Sequence, residues 1–195
     1  MRIIAGSAKG KNLISPIDLR TRPTSDRARE GLFSTLSSEF GDFEGLTFLD
    51  LFAGSGAVGA EALSRGAKLV HSVESEVDIA EVAIKNFQMI GNSSGSYRVF
   101  HTRVERFLES THAAEKGRYD IIFMDPPYEL SNEVIENFLN VILERELLQP
   151  HGVVAIERET KSASFTWPAR MEEIKVRSYG QGSIYYGCYS ASVLP

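Results

Sequence analysis

The chain has 195 residues, 43% of them hydrophobic and 24% charged, which fits a single globular domain able to bury its own core. One cysteine, Cys188, excludes an intramolecular disulfide and a Cys-rich metal centre. No apolar run approaches the roughly 18 residues of a membrane span, and the opening MRIIAGSAKGKN lacks the apolar core of a signal peptide, so a cytoplasmic protein with no membrane partner is expected. The net charge of −5 is unevenly placed. Residues 1–29 carry Arg2, Lys9, Lys11, Arg20, Arg22, Arg27 and Arg29 against Asp18 and Asp26, a net +5, so the other 166 residues carry −10. A basic arm on an acidic body suits local phosphate binding; a solvated basic segment without a partner is the alternative.

In chain order, RIIAGSAKGKNLISP predicts a small β-hairpin from Ile3–Ala5 and Asn12–Ile14. We expect residues 1–22 to form an N-terminal basic extension and residues 23–195 the main domain. TSDRAREGLFSTLSSEF starts with the cap-type residues Thr24, Ser25 and Asp26 and places Ala28, Leu32 and Leu36 at helical spacing. From Leu46 onward strands and helices alternate. LTFLDLF precedes a helix from about Gly56 to Ser64, and KLVHSVES precedes a helix with Ala80, Ala83, Ile84 and Phe87. YRVFHT precedes a short helix at Val104–Leu108, and DIIFMD precedes a helix with Val134, Ile135, Phe138, Val141 and Ile142. GVVAIE and two late strands near 171–179 and 183–191 follow. This grammar predicts an α/β fold, a Rossmann-like doubly wound and mostly parallel seven-stranded sheet with an antiparallel edge strand. In such sheets ligands bind beyond the carboxyl ends of the strands.

The first strand runs into DLFAGSGAVG, where Gly54, Gly56 and Gly59 form G-x-G-x-x-G. Glycines there allow a sharp turn and close backbone approach to a ligand at a helix N-terminus. The pattern alone is shared by NAD, FAD and S-adenosylmethionine proteins, and also by plain strand–helix turns. Asp50, inside the strand end, would welcome an ammonium group and repel a pyrophosphate. Glu74, ending the second strand, can accept both hydroxyls of a ribose, in NAD as well.

The fourth strand ends in Asp125-Pro126-Pro127-Tyr128. Either this is a stiff turn out of the sheet or a binding edge for a flat polar group. The Asp125 carboxylate and the Pro126 carbonyl can accept both protons of one amino group. Two prolines restrict the backbone, and Tyr128 can stack on a base, an effect of roughly 1–3 kcal/mol. A base reaching a recessed strand end must be unpaired or rotated out of its helix.

These features resemble the Rossmann-like S-adenosylmethionine-dependent methyltransferases, with Asp50–Gly59 like their first motif and Glu74 like their second. The resemblance implies that Phe52, Ala53, Gly54 and Ser55 hold the methionine part of the cofactor. Family members often carry an acid after the third strand to meet the adenine; this chain has Thr102-Arg103-Val104, and Arg103 cannot accept that bond. The expected cofactor set is Asp50, Phe52, Ala53, Gly54, Ser55, Gly56, Gly59, Glu74, Ser75, Arg103, Val104 and Thr24. Expected at the reacting amino group are Asp125, Pro126, Pro127 and Tyr128.

RIIAG, TRPTSDRAREGLFSTL, FLDLFAGSGAVGAEALSRGA and DPPY, in that order from Met1 to about Glu157, are similar to the RsmD family, which methylates guanine N2 in 16S ribosomal RNA of the small subunit. The resemblance implies S-adenosyl-L-methionine as cofactor, no metal, and a monomer that meets 16S rRNA in the subunit or its assembly intermediate. It also implies RNA contacts from Arg2, Lys9, Lys11, Arg20, Arg22 and Arg29. Gln181-Gly182 stands where the family usually has an Asp-Thr-type turn. The alternatives are an N6-adenine DNA or RNA methyltransferase, a non-enzymatic RNA-binding protein on the same fold, and an NAD-type dehydrogenase. His71, His101, His112 and His151 show no metal-ligand spacing.

Overall fold

The computed structural model describes residues 1–15, 26–91, 95–110, 118–161 and 165–190. Its elements are α1 (Asp26–Phe40), β1 (Thr47–Leu51), α2 (Ala57–Ser64), β2 (Leu69–Glu74), α3 (Val77–Ile90), β3 (Ser96–His101), α4 (Val104–Glu109), β4 (Tyr119–Met124), α5 (Asn132–Glu144), β5 (Leu148–Glu159), β6 (Met171–Tyr179) and β7 (Gly182–Tyr189). The strands form a seven-stranded sheet in the order β3-β2-β1-β4-β5-β7-β6. The α/β, mostly parallel architecture expected from the alternation is present. The antiparallel strand is β7, one place in from the edge, and β6 is the edge strand. Two compact units divide the chain, Met1–Val104 and Glu105–Pro195.

In the first unit β1, β2 and β3 run parallel, with Asp50 paired to Ser72 and Glu74 to His101. β1 and β2 are almost wholly buried because helices cover them, whereas β3 exposes alternate residues as an edge strand does. Helix α2 is buried at every position, Glu61 included. Phe87 of α3 stacks on Tyr97 of β3 at 4.6 Å, and Phe33 of α1 lies 6.2 Å from Phe48 of β1.

The N-terminal segment turns back on itself: Arg2 bridges Asn12, and backbone bonds from Ile3 N–H to Lys11 O, Gly10 N–H to Ile3 O and Leu13 N–H to Met1 O join its two arms, which pair over Met1–Ile3 rather than Ile3–Ala5. The next two N–H groups, of Ile4 and Ala5, donate to the buried Glu61 carboxylate at 2.7 and 2.9 Å. The same carboxylate accepts from Arg65 Nε at 2.8 Å. The extension is thus fastened to α2 by a long-range contact that satisfies N–H groups its own pairing leaves over.

In the second unit β4 and β5 pair in parallel, ending at Met124↔Ile156, while β7 pairs antiparallel with both β5 and β6. Gly180, at φ 71, starts the two-residue turn between Tyr179 and Gly182. A side chain at Gly182 would make the Glu157 carboxylate shift, since its Oε1 lies 2.7 Å from the position of a Cβ.

Candidate active site

The glycine loop leaves β1 through Phe52, a non-glycine residue at φ 74. That conformation is sparsely populated and costs about 1–3 kcal/mol, as backbone held for a function often does. Ala53 N–H donates to Val73 O at 2.9 Å, and Gly56 N–H to Ala53 O at 2.8 Å, folding the loop back toward β2. Gly56, at φ 74, caps α2 without a side chain to offer. Asp50 supplies what is missing: buried at 1% exposure, its Oδ2 accepts from Gly59 N–H at 3.2 Å in the first turn of the helix. A residue of β1 thus acts as the helix cap.

Glu74 organises the open side of the loop. Its Oε2 accepts from Gly54 N–H at 2.8 Å, and its Oε1 from Glu76 N–H at 2.9 Å and Ser75 Oγ at 3.4 Å. Each carboxylate oxygen has two acceptor positions, so this pre-set carboxylate keeps a position on Oε2 open to a ribose hydroxyl. A Cβ on Gly54 would meet no heavy atom within 4 Å, whereas one on Gly59 would stand 2.8 Å from Phe87 Cζ and 2.9 Å from Ser72 Oγ. Gly54 faces open space; Gly59 is small because α2 packs close against β2. The open loop, the strained Phe52 and the pre-oriented Glu74 fit an S-adenosylmethionine cofactor.

Asn86 belongs to this network although its spacing offered only an apolar helix stripe, with Ala83 and Phe87 beside it. Fully buried, it donates to Ser55 O at 2.8 Å and to Ile14 O at 3.0 Å, and accepts from Ile14 N–H at 2.8 Å. It ties the glycine loop to the N-terminal extension. After β3, Arg103 is exposed and Val104 is buried at the start of α4. His101 Nε2 is 3.0 Å from Ser75 O.

In the second unit Asp125 follows β4 directly and is half-buried; Pro126 is buried, Pro127 exposed and Tyr128 half-buried. Leu130 N–H donates to Pro127 O at 2.9 Å, closing a turn with Tyr128 at its second position. Under this turn lies Arg158 of β5, 4% exposed. It donates to Pro127 O at 3.4 Å, Leu130 O at 2.8 Å and Asn132 Oδ1 at 3.3 Å. Burial lowers the Arg158 pKa from its ordinary 12.5, and the Tyr128 and Tyr185 phenols oppose that. Its only sequence signal was a cation closing an otherwise apolar strand.

Arg29, expected at RNA, is a correction. It is completely buried, donating to Arg2 O at 2.6 Å and pairing with Asp26 at 2.9 Å. A guanidinium enclosed in this way positions the start of α1 and cannot meet a phosphate. Lys11 is exposed and its Nζ reaches Met89 O at 2.7 Å, at the last turn of α3. Arg2 and Lys9 are exposed. Thr24, Arg20 and Arg22 lie outside the described residues. Among the described residues no cluster of three His, Cys, Asp or Glu could hold a metal, and no helix is long and apolar enough to cross a membrane.

The family described as Conserved hypothetical protein 95 matches residues 1–188. Over 182 residues the chain is 33% identical to the Ribosomal RNA small subunit methyltransferase D of Escherichia coli K12, covering 93% of this chain and 86% of that protein. It is 32% identical over 180 residues to the protein of the same name from Haemophilus influenzae, with 92% and 89% coverage. The solved structure of Escherichia coli YhhF superposes with a TM-score of 0.80 at 29% identity, covering 97% of this chain and 98% of that one. The chain belongs to the ribosomal RNA small subunit methyltransferase D (RsmD) family, whose members are S-adenosylmethionine-dependent methyltransferases.

Proposed function

We propose that this chain transfers a methyl group from S-adenosylmethionine to the exocyclic N2 of one guanine in 16S rRNA. The rRNA is presented by the small ribosomal subunit or its assembly intermediate, and the enzyme works in the cytoplasm as a monomer. The observation that carries this reading is the Glu74-locked glycine loop in a chain that is 33% identical to a small-subunit rRNA methyltransferase along almost its whole length. In the cradle, Glu74 is the acceptor for the ribose. The Phe52–Ser55 backbone faces the methionine part, and Asp50 lends negative charge beneath it. Bound there, the sulfonium supplies the methyl group and a neutral thioether leaving group.

The rest falls to the Asp-Pro-Pro-Tyr edge. An amino nitrogen on a base is a poor nucleophile because its lone pair is shared with the ring. Asp125 and the Pro126 carbonyl accept its two protons and aim the nitrogen, so that rate comes from position and electrostatics. As the nitrogen–carbon bond forms and the carbon–sulfur bond breaks, the nitrogen becomes acidic, and its proton leaves to Asp125 or water. Tyr128 stacks on the base after it has rotated out of its helix. Arg2 and Lys9, exposed on the N-terminal extension, supply phosphate contacts.

The test is incubation with methyl-labelled cofactor and small subunits lacking the modification, followed by nucleoside analysis. Label in N2-methylguanine is expected. Label in N6-methyladenine would replace guanine by adenine, and no label in RNA would remove the activity.

A further inference from the structure

We propose that Arg158 is a positioning residue for methyl transfer, holding the Pro127–Leu130 turn so that Tyr128 and the Pro126 carbonyl are already aimed when the base arrives. The inference rests on the functional reading above and adds to it a residue from a different strand.

The geometry carries the argument. Arg158 lies two residues beyond Met124↔Ile156, the last registered pair of β4 and β5, so its side chain starts level with the chain that leaves β4. Its two terminal nitrogens reach Pro127 O and Leu130 O, the first and last carbonyls of the turn that contains Tyr128. The turn's own bond, Leu130 N–H to Pro127 O, shares the Pro127 acceptor. A third contact, to Asn132 Oδ1, joins the turn to the first residue of α5, directly after the Ser131 cap. One planar fork thus fastens both ends of the turn and the helix that follows.

A buried cation is an expensive way to stabilise a turn. Burial lowers the Arg158 pKa, so the protein bears a desolvation cost here, whereas a buried apolar side chain would bear none. What the guanidinium adds is directional: five donors in a rigid plane hold carbonyls at set angles, which neither an apolar side chain nor a lysine does. Ordering the turn before the substrate arrives removes that entropy cost from the binding step. The Tyr128 and Tyr185 phenols lie within electrostatic reach of the same guanidinium, so its loss frees the Tyr128 ring as well as the backbone.

The test compares unsubstituted protein with Arg158→Met and Arg158→Lys in three measurements. These are kcat and KM on undermethylated small subunits, S-adenosylhomocysteine affinity by calorimetry, and the ¹⁹F resonance of Tyr128 in 3-fluorotyrosine-labelled protein, assigned with Tyr128→Phe. Arg158→Met is expected to lower kcat per folded molecule roughly 10- to 100-fold, the scale of a small misplacement of reacting groups. S-adenosylhomocysteine affinity should stay within about twofold, because the cradle lies in the other unit, and the Tyr128 resonance should sharpen and shift toward a freely rotating ring. Arg158→Lys, which keeps the charge and loses the fork, should fall between the two. Free guanidinium ion should partly restore kcat to Arg158→Ala. A kcat per folded molecule equal to that of the unsubstituted protein, or an unchanged Tyr128 resonance in Arg158→Met, overturns the inference while leaving the functional reading in place. Absence of turnover by the unsubstituted protein overturns the reading, and this inference with it.

Discussion

Gly54 and Glu74 are joined by a hydrogen bond of 2.8 Å from the glycine N–H to Oε2 of the carboxylate. The end of β2 therefore holds the loop that leaves β1, across 20 residues of sequence. The acidic side chain expected to meet the cofactor's ribose is first of all the anchor that shapes the glycine loop.

Glu74→Gln should expose that double duty. The amide would turn a donor toward Gly54 N–H or toward Glu76 N–H, leaving one of them opposed. S-adenosylhomocysteine binding measured by calorimetry should weaken at least about tenfold, about 1.4 kcal/mol. An unchanged Kd would show that Glu74 has no part in the cradle.

Asp125→Ala should separate chemistry from cofactor binding. Turnover on undermethylated subunits should fall more than about 100-fold, since both an acceptor and its alignment are lost, with S-adenosylhomocysteine affinity within about twofold. Turnover equal to that of the unsubstituted protein would take Asp125 out of the mechanism.

Gly54 and Gly59 should respond oppositely to alanine. At Gly59 the new methyl would press on Phe87, Ser72 and Val70, so Gly59→Ala should cost about 1–3 kcal/mol of stability and visibly lower the thermal midpoint. At Gly54 nothing stands within 4 Å; the strain of φ 53 costs only about 1 kcal/mol, and the methyl projects into the cradle. Gly54→Ala should therefore lose cofactor affinity more than stability. Thermal unfolding and calorimetry on both variants decide it.

The basic residues of the N-terminus should divide in the same way. Charge reversal at Arg2 and Lys9, both exposed, should raise KM for subunits and flatten its salt dependence, with little change in the melting curve. Arg29→Ala should unfold the protein at lower temperature, because it leaves Asp26 and Arg2 O without their buried partner. An Arg29→Ala protein of normal stability and weak subunit binding would restore Arg29 to the RNA contacts.

Tyr189 gives a pH dependence whose sign is fixed. Its phenol is buried, with the hydroxyl 3.5 Å from Leu148 O. Burial pushes its pKa above the ordinary 10.0, with Glu146 adding to the rise and Arg170 opposing it. The unfolded chain therefore gives up this proton first. The stability contributed is present below about pH 10 and is lost as pH rises through the folded-state value. Denaturant midpoints measured from pH 8 to 11 should fall less steeply for Tyr189→Phe; identical slopes would exclude Tyr189 as the cause.

Much of the candidate site was legible in the sequence. Asp50 and Glu74 sit in the last residues of predicted strands, and the three glycines and Asp125–Tyr128 just after them, because a parallel sheet puts its strand ends at one edge, and the periodicity that reveals strands also reveals their ends. Pattern also sufficed to locate the helices α1 to α5 and the late strands, although α2 is buried on every side and not along one stripe. Tertiary structure alone decided where the polar groups point. Glu61 takes the N–H groups of Ile4 and Ala5 from 57 and 56 residues away and fastens the N-terminal segment to α2. Asn86 reaches Ser55 across 31 residues, Arg29 turns inward, and Arg158 reaches back 28 residues to Leu130. Hydrophobic spacing reports which face of an element is buried. It carries no record of which distant carbonyl a buried amide or guanidinium will meet, because that is settled only when the elements pack and every enclosed donor must find an acceptor.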